Sequence, residues 1–282
     1  MGQEPVQGWD VDLSSELELA RELATLGGDV ALAYFRRDPA TKKKPDGTWA
    51  TEADLAAEAR IRARIAEVHP DHNVLGEEEG LCAADGGDAV DVAPTWIIDP
   101  IDGTNNFMAG IPVWATLIGF RIGGTTCAGV CHAPALHETY DAGTGMGARF
   151  NGEPIHVDAV NSLEDALVCV PGGESFLESG LGAFYEALLT RCYRSRGFAD
   201  FWGHMLVARG AAHVMVEPEL NIWDVAALEP IVSEAGGRMS HLDGRPWQDK
   251  GSCLTTNGAL HGDVVALFEG APGTPGLGRS GR

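Results

Sequence analysis

The stretch "WIIDPIDGTNNF", Trp96 to Phe107, closes an apolar run with two aspartates, Asp99 and Asp102, three residues apart, and follows them with Gly103 and Thr104. Like charges this close raise each other's pKa, so a fold keeps them together cheaply only with a cation or a proton between them. The spacing asks for a metal. Along an extended backbone, residues three apart point in different directions, and Pro100 is expected to force a turn that brings both carboxylates to one side. Hard divalent cations such as Mg²⁺ take oxygen ligands, usually one or two carboxylates each, and complete their shells with water and substrate phosphate. Asp99, Asp102 and the Ile101 carbonyl between them are candidate ligands, expected to be exposed at the end of the "TWII" element. Gly103 would let the chain bend, and Thr104 offers a hydroxyl to the same space.

Two rival readings apply to these residues taken alone. Haloacid-dehalogenase-type phosphatases also carry aspartates and a threonine at a strand end, but with DxDxT spacing, whereas this chain has DxxDxT. A covalent aspartate nucleophile is therefore disfavoured. A purely structural Asp-rich turn is the other reading. Two further stretches weigh against it: "VLGEEEG" places Glu77 just after a strand and a glycine, and "NIWDVAALEPIVSEAGG" places Asp224 at the start of a helix. On its own, Asp224 would be a helix-dipole partner worth ~0.3–1 kcal/mol; with the other acids it extends a carboxylate constellation.

Composition restricts the partners. With a formal charge of −21 and four lysines (Lys42, Lys43, Lys44 and Lys250), the chain lacks the cations with which a nucleic-acid surface neutralises phosphates. If it handles a phosphate, bound cations must supply much of the positive charge. The remaining acidity reads as a solvated surface. The six cysteines form no CxxC pair and are expected to be reduced and mostly buried. No run of 18 apolar residues is present, and "MGQEPVQGWD" lacks the regions of a signal peptide. A cytoplasmic protein acting away from membranes is expected.

Along the chain, residues 1–12 are expected to be a flexible N-terminus. Leu19, Leu23, Leu26, Val30 and Tyr34 predict an amphipathic first helix, broken at the "LATLGG" glycines. Thr51 and Asp54 are placed like a capping box for a second helix through Leu55, Ile61, Ile65 and Val68. "GLCAADGGDAVDVAP" reads as a mobile surface loop, and residues 96–150 as an antiparallel sheet. Short strands then alternate with helices near 176–190, 201–211, 223–236 and 259–269, the pattern of an α/β layer. The expected organisation is an N-terminal α+β half over 13–155, a C-terminal α/β half over 156–269 and a disordered tail over 270–282.

These residues resemble the inositol monophosphatase family of magnesium-dependent, lithium-sensitive phosphomonoesterases. The family's "GEE" is matched at Gly76–Glu78, its "DPIDGTxNF" at Asp99–Phe107 and its "WDxAAxxxIxxEAGG" at Trp223–Gly237. The resemblance runs from about residue 13 to 268 and implies an α/β, layered αβαβα fold. It implies two or three Mg²⁺ per active site, held by Glu77, Asp99, Asp102, Asp224 and the Ile101 carbonyl. It implies too that Thr104, with Asp54 behind it and Glu77 beside it, orients the attacking water. Lys44 matches the family lysine ahead of "VTxAD", here "ATEAD" with Ala50 in place of valine. The backbone N–H groups of Gly103 and Thr104 are expected on phosphate oxygens. A homodimer is usual for the resemblance.

Substrate choice must come from beyond the carboxylates. "RSRGFADFWGHMLVARGAAHVMVEP" is similar to the histidinol-phosphate phosphatase branch, except that its "GDF" reads "ADF" at Ala199–Phe201. Asp200 and Glu217, together with Asp224, are candidate substrate-side acids. Two carboxylates on the leaving-group side would favour a cationic alcohol such as histidinol. An inositol or other sugar or nucleotide phosphate is the alternative substrate, and a non-catalytic binding protein of the same fold is the third reading. Trp114 could line the pocket or belong to the core. His132, His137, His204, His213 and His241 show no metal-ligand spacing and read as structural or surface groups.

Overall fold

Leu13–Tyr34 forms one uninterrupted helix, with the Gly27–Gly28 pair inside it and not at a break. A Cβ on Gly27 would lie 2.6 Å from Ile61 Cδ1, and one on Gly28 2.6 Å from His132 Cδ2. The glycines let the helix approach its neighbours closely, at a helix-propensity cost of roughly 1 kcal/mol each. That approach rotates the buried stripe onto Ala20, Leu23, Ala24, Gly27, Gly28 and Ala31, leaving Leu26 and Val30 only half-buried. The computed structural model describes residues 13–44, 47–83 and 93–272. The expected flexible N-terminus, most of the predicted mobile loop and residues 273–282 of the predicted tail lie outside the described residues. Within that loop, Gly80–Cys82 is instead a strand paired with Asn73–Gly76, and Gly270 closes the last helix, His261–Gly270.

The chain divides into two units, the first comprising the chain up to Ile155 together with Ile222–Glu234. The sequence reading groups that second segment with the C-terminal half. Here an eight-stranded sheet runs in the order Glu153–Pro154, Ala148–Phe150, Glu138–Gly143, Thr125–Ala133, Ala115–Ile122, Thr95–Asp102, Asn73–Gly76, Gly80–Cys82. Its pairings are antiparallel except where Asn73–Gly76 lies parallel to Thr95–Asp102. Ile98, Ile118 and Phe120 share an apolar cluster with Leu23 and Ile61 of the first two helices. The alternate residue Gly119 instead approaches Ala226, and Gly129 approaches Ala227. The central strands Thr95–Asp102 and Ala115–Ile122 are therefore covered on both faces, and successive residues are buried on opposite sides. The second helix, Glu52–Val68, carries the expected capping box of Thr51 and Asp54.

Residues 223–236, predicted as one helix, form two short ones, Ile222–Val225 and Leu228–Glu234. Pro230 explains the break, because its ring clashes with the carbonyl four residues back, at Ala226. Trp114 is fully buried among Phe35 and Phe107 and is a core residue.

The second unit, His156–Asn221 with the chain from Ala235, has a five-stranded sheet. Its order is Arg194–Arg196, Leu167–Cys169, Val214–Asn221, Lys250–Thr256, Arg238–Ser240. The first three strands are parallel, and the last two join antiparallel. Val168, Val214, Val216 and Leu254 pack with Phe176, Phe184, Val264 and Phe268 into its core. The helix expected over 176–190 is split into Gly173–Glu178 and Gly182–Arg191 by Gly180, whose φ of +72° ends the first piece. No described helix is long and apolar enough to cross a membrane. All six cysteines are free thiols; Cys131, Cys169 and Cys253 are buried, whereas Cys82 is exposed.

Candidate active site

All eight residues of Thr95–Asp102 are buried, including both aspartates, so the carboxylates expected at an exposed turn lie within a strand. No turn forms at Pro100. Opposite this strand, Asp99 pairs with Leu117 and Asp102 with Ala115. Three steps on one strand face two on the other, which is a bulge of one extra residue. The bulge removes the parity problem, because one inserted residue restores Asp99 and Asp102 to a common side. Its backbone groups are accounted for. Pro100 has no N–H, and its carbonyl accepts the Thr116 hydroxyl at 2.8 Å. The Ile101 N–H donates to Asp99 Oδ1 at 3.0 Å, and the Ile101 carbonyl accepts the Thr104 hydroxyl at 3.0 Å. Gly103, at φ +85°, then turns the chain into the short helix Thr104–Met108.

Asp224, in the first turn of Ile222–Val225, completes the group: ligand-capable oxygens of Asp99, Asp102 and Asp224 all lie within 4.8 Å of one another. Asp99 has its pKa raised well above the ordinary carboxylate range, first by burial and then by the charges of Glu77, Asp102, Asp224 and Asp54. Glu77 stands just past Asn73–Gly76, and its N–H donates to the Ile98 carbonyl at 3.1 Å, one residue before Asp99. Lys44 Nζ binds Glu77 Oε1 at 2.8 Å and Glu78 Oε1 at 2.6 Å. Burial works against the Lys44 charge, but hydrogen bonds to both glutamates more than offset it and raise its pKa. Glu78 is pushed up to about 7, chiefly by burial.

Asp54 is held by the residue that caps its own helix. Its Oδ2 accepts both the N–H and the hydroxyl of Thr51, at 2.7 and 2.6 Å, while Oδ1 is buried without a hydrogen-bond partner. Burial, opposed by the Thr51 bonds, raises the Asp54 pKa to about 6. In the second unit, Asp200 opens the helix Asp200–Ala208 with a φ of +55°, and its N–H donates to Glu217 Oε1 at 3.1 Å. Those two acids are thus brought together. Sequence reasoning passed over Glu78, the second partner of Lys44, and over Glu58 and Arg62, which lie on one face of the second helix at i, i+4 spacing from Asp54.

The oxygen donors suit a hard divalent cation. Three clustered carboxylates, one disfavoured from ionising first by burial and then by its neighbours, and an orphaned buried oxygen on Asp54 make an anionic cluster that a cation would neutralise. A second cluster, Glu16 with His69 and His72, is also compact, but its geometry is that of a polar lock. The two imidazoles stack 4.1 Å apart and 3° from parallel, so their in-plane lone pairs do not converge. The Trp96 indole donates to His72 Nδ1 at 3.1 Å, which leaves the His72 proton on Nε2. His69 Nε2 meets Glu16 Oε2 at 3.3 Å.

The fold and this donor set define a metal-dependent hydrolase, and known proteins agree. The inositol monophosphatase family model matches residues 12–272. A histidinol-phosphatase from Streptomyces coelicolor is 37% identical over 268 residues, covering 91% of this chain and 98% of the relative. A fructose-1,6-bisphosphatase/inositol-1-monophosphatase from Thermotoga maritima is 35% identical over 258 residues, covering 90% of this chain and 94% of the relative. The solved structure of a Thermotoga maritima IMPase superposes with a TM-score of 0.79 at 32% identity, covering 90% of this chain and 96% of that one. The chain belongs to the inositol monophosphatase family, as a metal-dependent phosphomonoesterase of mixed α/β architecture.

Proposed function

We propose that this protein hydrolyses the phosphate monoester of a small cationic alcohol, most specifically L-histidinol phosphate, with Mg²⁺ held by Glu77, Asp99, Asp102, Asp224 and the Ile101 carbonyl. The observation that carries the substrate is the Asp200–Glu217 pair: an amide-to-carboxylate bond at 3.1 Å keeps two acids together, which suits an ammonium and an imidazole better than a polyol. The 37% identity to a protein named histidinol-phosphatase supports the same choice.

Bound divalent cations supply neutralisation of the phosphate and a lowered pKa for water. The chain's own residues do the rest. Because the Thr104 hydroxyl proton is committed to Ile101 O, its oxygen accepts from a water and fixes that water's orientation. Lys44 holds the Glu77 carboxylate in place through its Nζ. Gly103, in its left-handed conformation, turns successive N–H groups toward phosphate oxygens, and Asp224 reaches the ester from the facing segment. The family further extends the proposal to lithium inhibition, a homodimer and a cytoplasmic setting in histidine biosynthesis.

The test is turnover of histidinol phosphate and inositol 1-phosphate with Mg²⁺, by the unaltered protein and by Asp200→Asn. Losing a charge-assisted bond costs ~1.5–3 kcal/mol, roughly ten- to a hundredfold in kcat/KM on the cationic substrate. The polyol ester should hardly change. Equal losses on both would remove histidinol phosphate in favour of the inositol or sugar phosphate reading.

A further inference from the structure

Glu58 is fully buried on Glu52–Val68, where a carboxylate is tolerated only when paired and hydrogen-bonded. Its Oε2 accepts the Glu78 N–H at 2.9 Å, and its Oε1 accepts the Glu79 N–H at 3.0 Å and Arg62 Nε at 2.8 Å. Arg62 in turn donates to the Gly80 carbonyl at 2.5 Å. The pair therefore grips the turn that joins Asn73–Gly76 to Gly80–Cys82. Three successive amides of that turn have assigned acceptors. Glu77 N–H goes to Ile98 O on the strand that carries Asp99, and the next two go to Glu58. Gly76 makes the grip possible, because a Cβ there would fall on the Glu58 carboxylate.

We propose that Glu58 is a positioning residue for the cation site: it locks the Gly76–Gly80 backbone so that the Glu77 side chain is presented beside Asp99 before any cation arrives. The inference rests on the reading of Glu77 as a cation ligand and adds the group that fixes it. Without the grip, ordering the turn would be charged against cation binding. In Glu58→Gln, one oxygen becomes an NH₂ that cannot accept from the amide it faces, so the turn loses a bond while the side chain keeps its size.

The experiment titrates Mn²⁺ into the unaltered protein, Glu58→Gln and Ile65→Val, reading free ion by electron paramagnetic resonance. It also measures metal-free amide exchange over residues 77–79. Ile65 is fully buried on the same helix, so its variant controls for a general loss of stability. Glu58→Gln should weaken Mn²⁺ binding roughly ten- to a hundredfold, the usual effect of removing a group that orients a ligand. The Glu78 and Glu79 amides should exchange faster, and Ile65→Val should bind as the unaltered protein does. Unchanged affinity in Glu58→Gln, or an equal loss in Ile65→Val, overturns the proposal. Should Glu58→Gln not fold, exchange in the unaltered protein decides: protected Glu78 and Glu79 amides uphold the grip, and unprotected ones overturn it. An unaltered protein that binds no Mn²⁺ would count against Glu77 as a ligand. Exchange in Glu58→Gln would then separately uphold or overturn the grip.

Discussion

The Thr116 hydroxyl donates to the Pro100 carbonyl at 2.8 Å, directly across from the extra residue that puts Asp99 and Asp102 on one side of their strand. Thr116 is fully buried, so no water replaces that bond. Thr116→Val keeps the shape and leaves the carbonyl without its donor, a cost of about 1–3 kcal/mol. Urea unfolding in the absence of metal should show this loss, and Mg²⁺-dependent turnover should fall with it as the bulge relaxes. A variant of unchanged stability would mean that the bulge is held by other contacts.

Asp99→Asn and Asp224→Asn should each lower turnover by orders of magnitude. Without metal, both should be at least as stable as the unaltered protein, because removing one crowded negative charge relieves repulsion. In Asp99→Asn the side-chain carbonyl oxygen can still accept from the Ile101 N–H, so the bulge survives. Thermal unfolding in EDTA and a phosphatase assay in Mg²⁺ check the two halves; a stable variant with full activity would remove these residues from the site.

Lys44→Gln leaves Glu77 and Glu78 without the ammonium that now binds both. The pair is slightly solvent-accessible, so the loss of stability should fall below the roughly 3–5 kcal/mol of a fully buried ion pair. Adding Mg²⁺ should restore part of the Tm, because a cation would neutralise the same carboxylates. A Tm deficit identical with and without Mg²⁺ would argue that Lys44 and the cation do not share Glu77.

His204 is buried, with Nδ1 on the Thr255 hydroxyl at 2.7 Å, and burial lowers its pKa from 6.5 to about 3. A histidine depressed in the folded state is protonated first in the unfolded chain. Its contribution is therefore complete above pH 6.5 and is lost as the pH falls from 6.5 toward 3, by up to about 1.4 kcal/mol per pH unit. The stability difference between the unaltered protein and His204→Gln should shift by about 2 kcal/mol against the unaltered protein between pH 7 and pH 5. A difference independent of pH in urea titrations would place the His204 imidazole in contact with solvent.

The sequence by itself determined the family, the mixed α/β class and the identity of the acids, because short ordered motifs and hydrophobic periodicity are local properties of the chain. The capping box at Thr51 and Asp54 and the strand before Glu77 were legible for the same reason. What it did not determine was decided by contacts between residues far apart in the chain. The Gly27–Gly28 pair reads as a helix break until Ile61 and His132 are found against it. Asp99 and Asp102 read as the exposed ends of a turn, yet pairing with Ala115–Ile122 puts them in a buried bulged strand instead. Sequence reasoning passes over Glu58, since by sequence it is one charge among several of both signs on its helix. Only the arrival of the Gly76–Gly80 turn over it, bringing two backbone amides and leaving out a Cβ, turns it into a buried acceptor. Local pattern reports what each segment can form, whereas the partner of a buried polar group is chosen by whichever distant backbone the fold lays beside it.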